Sequence, residues 1–159
     1  MIQTTKTQQP EGTKMSACQS DKPARQLSVI YDRDIHTKAS HSASKLEIGL
    51  AGCCGADELN PFDLLALSLG GCLLTLMGQA AFQRGLDIVG AKACVDYELD
   101  DYRVKQISVR LEMPKALTAI DRKNLEKASQ SCPVYRALDP ALEVNIDYCW
   151  PNESAPKVV

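Results

Sequence analysis

The sequence has no basic cluster, few aromatic residues, almost no histidine and no export signal. Its 159 residues carry 18 Lys/Arg against 20 Asp/Glu, a net charge of −2. No Lys/Arg run exceeds a pair, which argues against nucleic acid or an anionic membrane surface as a partner. The opening stretch MIQTTKTQQPEGTKMSACQSDKPA has no apolar core, so it is not read as a secretory signal. Its Gln, Thr, Lys, Ser and Pro content predicts a disordered tail over residues 1–24. PNESAPKVV predicts a second tail over residues 151–159. The stretch between, residues 25–150, is long enough for one domain with its own core.

The two histidines, His36 and His41, and the seven cysteines at 18, 53, 54, 72, 94, 132 and 149 contain no C-x-x-C pair. Zinc-ligand spacing is missing, so neither a metal nor another cofactor is expected. Seven thiols without an export signal predict a reducing, cytoplasmic setting, where cysteines stay free or do chemistry rather than act as staples.

The sequence does contain an uncharged run of 20 residues, LLALSLGGCLLTLMGQAAFQ, from Leu64 to Gln83. A membrane span needs roughly 20 apolar residues. Here Gly70, Gly71, Gly78, Gln79 and Gln83 dilute the apolarity, and no Trp or Tyr flanks the run. Its surroundings point instead to a globular fold. Ala91, Ala93, Val95, Tyr97 and Leu99 alternate with polar residues, and so do Ile107, Val109, Leu111 and Met113 beyond a turn near Asp100-Asp101. Period two predicts an antiparallel hairpin. Leu142, Val144, Ile146 and Tyr148 predict another strand, and Leu27, Val29 and Tyr31 with Leu46, Ile48 and Leu50 predict two or three shorter ones.

The predicted class is α+β, an antiparallel sheet packed on a long central helix. A helix apolar all round is buried on every side, and one small domain rarely encloses a helix of this length. A second copy of the chain is therefore expected to complete the burial, giving a homodimer and no membrane partner. The helix limits are marked: Asn60 as cap, Pro61 in the first turn, Asp63 at capping-box spacing, and Gly85 just beyond the end.

Thr118 in TAID predicts the start of a second helix running to about Gln130. In SCPVYRAL, Pro133 opens a new helical turn and leaves Cys132 at the cap, where backbone N–H groups favour a thiolate. Spacing alone leaves two readings open, a reactive thiol or a small buried residue. Cys72, between Gly71 and Leu73, reads by itself as packing.

Taken together, NPFDLLALSLGGCLLTLMGQAAFQRGLDI and, sixty residues after Cys72, SCPVYRAL resemble the OsmC/Ohr family of thiol-dependent peroxidases over residues 27–148. The resemblance implies an intertwined α+β homodimer with active sites at the subunit interface. It implies Cys72 as the peroxidatic and Cys132 as the resolving cysteine, with an organic hydroperoxide as substrate and a dithiol or lipoylated protein as reductant. A thiolate that attacks ROOH becomes a sulfenic acid, and a neighbouring thiol condenses with it to a disulfide.

The chain departs from the pattern at Phe62. The peroxidase branches carry a glutamate there, ten residues before the first cysteine, paired with an activating arginine. Asp63 is no substitute, since nine residues at about 100° each put it opposite Cys72. The candidate arginine is Arg33 rather than Arg25, which borders the tail; Arg136 is near Cys132. These departures keep an alternative function open, a non-peroxidatic protein of the same fold that binds a small apolar or electrophilic ligand at the dimer interface. Cys53 and Cys54, in the loop before the helix, match no motif, and Cys94 and Cys149 read as structural.

Overall fold

The computed structural model describes residues 27–41, 44, 46–52 and 58–151. The expected tail over residues 1–24 and all but Pro151 of the one over 151–159, with Arg25, Cys53 and Cys54, lie outside the described residues. The chain runs β1 (Leu27–Arg33), β2 (His36–His41), β3 (Glu47–Ala51), α1 (Pro61–Gln83), β4 (Lys92–Asp100), β5 (Arg103–Glu112), α2 (Ala119–Ser129), α3 (Pro133–Ala137) and β6 (Glu143–Cys149). Two three-stranded sheets result, β1-β2-β3 and β4-β5-β6.

The first sheet is antiparallel throughout, and β4 pairs antiparallel with β5, as the short turn near Asp100-Asp101 predicts. The expectation of a wholly antiparallel sheet fails at β6, which runs parallel to β5 with Ile107 opposite Val144 and Val109 opposite Ile146. The reason is the connection. A parallel neighbour needs a crossover of a dozen or more residues, and α2 and α3 supply it. Alternation reports which face a residue occupies and says nothing of strand direction.

Helix α1 begins as its sequence dictates. Asn60 Oδ1 accepts from the Phe62 and Asp63 backbone N–H groups at 2.7 and 3.0 Å, while Asp63 Oδ2 accepts from the Asn60 N–H at 2.7 Å. It ends in a left-handed Gly85, φ +65°, with the Leu86 N–H bonded to Ala81 O and the Gly85 N–H to Phe82 O, the paired closure that satisfies the last carbonyls. Leu69, Leu73, Met77 and Ala81 recur every four residues and face Ile107, Val109 and Leu111 of β5 and Leu125 of α2 in one core. At Gly70 the helix comes so close to β4 that a Cβ would sit 2.8 Å from Val95 Cγ2 and 3.2 Å from Ala93 Cβ.

Within the single chain α1 is not enclosed. Its buried residues are Ala66, Leu69, Gly70, Leu73, Met77 and Ala81, whereas Leu67 and Phe82 are 52% and 74% exposed. Every residue of β1 is exposed, including Leu27, Val29, Ile30 and Tyr31. Two apolar surfaces therefore lie open, one on the helix and one on the first strand.

Candidate active site

Cys72 lies halfway along α1, half-buried against the core. Cys132 comes to it from the other end of the sequence because α2 and α3 both pack on α1. Thr118 caps α2, accepting from the Asp121 N–H at 3.2 Å. The chain then leaves α2 through a tight turn in which the Cys132 N–H donates to Ser129 O at 3.0 Å. Cys132 is the N-cap of α3, with Pro133 in the first turn, and its Sγ accepts from the Tyr135 N–H at 3.4 Å. The thiol is fully buried, and Cys72 packs against the same core.

Cys132 stands at a helix cap, as the spacing predicts, and it is also buried. Burial pushes its thiol above the usual range, and the neighbouring Cys72 adds to this; the N–H groups of Tyr135 and Val134 act the other way and lose. A five-residue helix supplies little dipole, since that effect needs many aligned peptide units. Desolvation of an anion in a closed site outweighs it. Cys132 is thus a protonated thiol, not a free-standing thiolate.

Phe62 sits in the first turn of α1 with its ring 6.3 Å from that of Tyr97, an apolar contact where the peroxidase pattern has a carboxylate. Asp63 is engaged in the cap. Arg33 ends β1, opposite His36, and is exposed. Its sheet is not among the elements that chiefly pack on α1, namely α2, β4, α3 and β5, so the fold of the single chain does not bring Arg33 and Cys72 together. Arg136 is exposed and lines a hollow of about 260 Å³ with Tyr135, Leu138 and Leu142; it forms no ion pair among the described residues.

The remaining described cysteines face away from the core on the second sheet. Cys94 is opposite Arg110 and Cys149 opposite Glu112, with Cys94 Sγ 3.8 Å from Glu112 Oε1. A wider apolar hollow, about 460 Å³, lies at the C-terminal end of α1 among Leu74, Gly78, Phe82, Leu86 and Ile88.

A buried polar group behind the pair escapes sequence reading. Ser129 is fully buried, and its hydroxyl is bonded to the Tyr148 hydroxyl and to Glu126 O. Burial pushes the Tyr148 phenol up, Glu126 adds to the rise, and the Ser129 bond opposes it. Trp150 Nε1 donates to Glu126 Oε1 at 2.9 Å, and Arg122 lies 5.5 Å from the indole centroid. Together these contacts fasten the end of α2 from which Cys132 emerges. The available signal was Tyr148 itself: it stands on the inward phase of β6, and a hydroxyl turned inward needs a partner.

A model of the OsmC-like protein family matches residues 49–147. The chain belongs to that family. No curated protein matches the sequence. Among solved structures, this OsmC-like chain is similar to a Psychrobacter arcticus 273-4 protein named for osmotic stress induction and detoxification response, with 26% identity over 80% of this chain and 97% of that one, at a TM-score of 0.74. The organic hydroperoxide resistance protein OsmC of Legionella pneumophila matches at 13% identity, 80% and 97% coverage and a TM-score of 0.62. OhrB, the organic hydroperoxide resistance protein of Bacillus subtilis, matches at 14% identity, 79% and 97% coverage and a TM-score of 0.59. At those last two identities the likeness is one of fold. The OsmC-like α+β fold, with its two small sheets and helices, is common to all three.

Proposed function

We propose that this OsmC-like protein is a thiol-dependent peroxidase for organic hydroperoxides, with Cys72 as the attacking sulfur and Cys132 as the resolving one. The observation that carries the reading is that these two cysteines, sixty residues apart in sequence, pack into one core where Cys72 raises the Cys132 thiol. Cys72 S⁻ takes the terminal oxygen of ROOH, the O–O bond breaks, and the alkoxide leaves as ROH after gaining a proton. The Cys132 thiol then condenses with Cys72–SOH, forming the disulfide and releasing water. A dithiol or lipoylated protein returns both sulfurs to thiols by exchange.

The working form is a cytoplasmic homodimer. The open apolar faces of α1 and β1, with Leu67, Phe82, Val29 and Tyr31 exposed, support a second copy as the cover, since patches of that kind mark association sites. In such a dimer the arginine nearest Cys72 comes from the partner subunit, and Arg33 is the candidate.

A second reading is a ligand-binding protein without turnover. Phe62 in place of a carboxylate and the apolar hollow at the end of α1 favour it. Anaerobic titration of the reduced protein with cumene hydroperoxide separates the two. The peroxidase loses two thiols per hydroperoxide and yields a Cys72–Cys132 disulfide; a binding protein keeps its thiol count.

A further inference from the structure

Ser129 is the only buried polar residue among the described residues, and it closes α2 three residues before Cys132. An alanine would fill the same place in the core with no hydroxyl to satisfy. The hydroxyl has two partners. It donates to Glu126 O at 2.7 Å, which uses its one proton, so the Tyr148 hydroxyl donates to Ser129 Oγ. Two residues beyond Tyr148, Trp150 Nε1 donates to Glu126 Oε1 at 2.9 Å. The end of β6 thus holds the last turn of α2 at two points, Glu126 and Ser129, which fixes its rotation as well as its distance. Apolar packing tolerates small slides, whereas a hydrogen bond constrains distance and direction. From there the path to the sulfur is short. The Cys132 N–H donates to Ser129 O at 3.0 Å, and the Arg136 N–H to Cys132 O at 3.2 Å.

We infer that Ser129 and Tyr148 are positioning residues for the resolving step: their hydroxyl pair sets where α2 delivers Cys132, and so how soon a sulfenic acid at Cys72 is captured. The inference rests on the peroxidase reading. Two reactions compete for Cys72–SOH. Either Cys132–SH condenses with it, forming the S–S bond and releasing water, or a second ROOH transfers its terminal oxygen, leaving Cys72–SO₂H and ROH. Condensation takes place within one fold, so its rate follows the placement of Cys132. Oxidation by a second hydroperoxide does not. Neither hydroxyl is on the helix that carries Cys72, so the first oxidation of Cys72 is independent of the pair.

The test is one pass of oxidation without reductant. Reduced wild type, Tyr148→Phe and Ser129→Ala are mixed with rising cumene hydroperoxide, and mass spectrometry divides the Cys72 peptide between the Cys132 disulfide and the sulfinic acid. Each variant should reach half sulfinic acid at about three- to tenfold lower hydroperoxide, the worth of one buried hydrogen bond. The double variant should be no worse than the worse single one, because both remove the same bond. The first oxidation should keep its wild-type rate. A role in stability alone lowers the urea midpoint and leaves the division between disulfide and sulfinic acid as it is. An unchanged division, or a first oxidation slowed as much as resolution, overturns the inference. Should Ser129→Ala fail to fold, Tyr148→Phe, which removes a single oxygen, carries the comparison. Hydrogen exchange of the Cys132 amide reads the attachment with no peroxide present and should speed up in Tyr148→Phe. A wild type that consumes no hydroperoxide while this amide responds refutes the peroxidase and keeps the attachment. Consumption with an unchanged division keeps the peroxidase and refutes the positioning role.

Discussion

The Tyr97 hydroxyl donates to Asp63 Oδ1 at 2.8 Å and accepts from Asn60 Nδ2 at 2.8 Å. A strand residue thereby holds the cap of α1, and the carboxylate beside Phe62 has both oxygens committed. Tyr97→Phe is expected to lower stability by about 1 kcal/mol, the worth of a part-buried hydrogen bond. Asp63→Asn weakens the capping box by about the same amount. Neither change should alter the alkylation rate of Cys72. Urea melts and peptide mapping check the pair, and a Cys72 rate that follows Asp63 would make that residue part of the site.

Gly70 is fixed by the approach of α1 to β4, not by its backbone angles. Gly70→Ala pushes a methyl to 2.8 Å from Val95 Cγ2, an overpacking that costs about 1–3 kcal/mol. Gly71→Ala, with nothing within 4 Å in the single chain, gains about 0.5–1 kcal/mol of helix propensity unless a second copy lies against it. Chemical denaturation at several protein concentrations distinguishes these cases: a loss at Gly71 that grows on dilution puts that face in the dimer contact.

Cys72→Ser should abolish hydroperoxide consumption. Cys132→Ser should allow one oxidation and leave a Cys72 sulfenic acid that dimedone traps. Mass spectrometry of the trapped adduct reads the difference, and equal behaviour of the two variants rules the pair out.

Cys132 and Tyr148 both titrate above their usual values of 9.0 and 10.0, in each case chiefly through burial. In the unfolded chain they ionise at the usual values, so above those values the unfolded state binds fewer protons than the folded one, and stability falls as pH rises. The contribution is fully present below about pH 8.5 and is lost upward through the two folded values. Thermal melts of the reduced protein should therefore hold steady from neutral pH and then decline. Cys132→Ala flattens the first part of the decline and Tyr148→Phe the later part; a Tm that climbs over this range contradicts the burial argument.

Association through the open faces predicts a dimer by light scattering. A charge in either face, Val29→Asp or Phe82→Asp, should shift the protein toward monomer, whereas Lys105→Asp on the second sheet should not. A wild-type monomer in dilute solution removes the dimer from the proposal.

The alternation at 91–99 and 107–113, the Asn60 and Thr118 caps and the glycine stop at Gly85 were legible because each depends on neighbours within one or two turns of chain. Strand β2, HTKASH, has no apolar rhythm to reveal it. The direction of β6 depends on the path of α2 and α3, which no local pattern encodes. The meeting of Cys72 and Cys132 was expected from family resemblance, while the protonation of Cys132 could not be read at all. A cap position is a local property; the burial that overrides it comes from Leu73, Leu125 and their neighbours assembled from distant parts of the sequence.

The chain has one tryptophan, and it stands in a useful place. Trp150 is bound to Glu126 and covered by Arg122, both on the helix that delivers Cys132. Closing a disulfide pulls on that helix end, and the indole is the only strong fluorophore present to register it. Its emission should change with the oxidation state of the pair, so the redox cycle can be followed in real time in the unlabelled protein, with Trp150→Phe as the silent control.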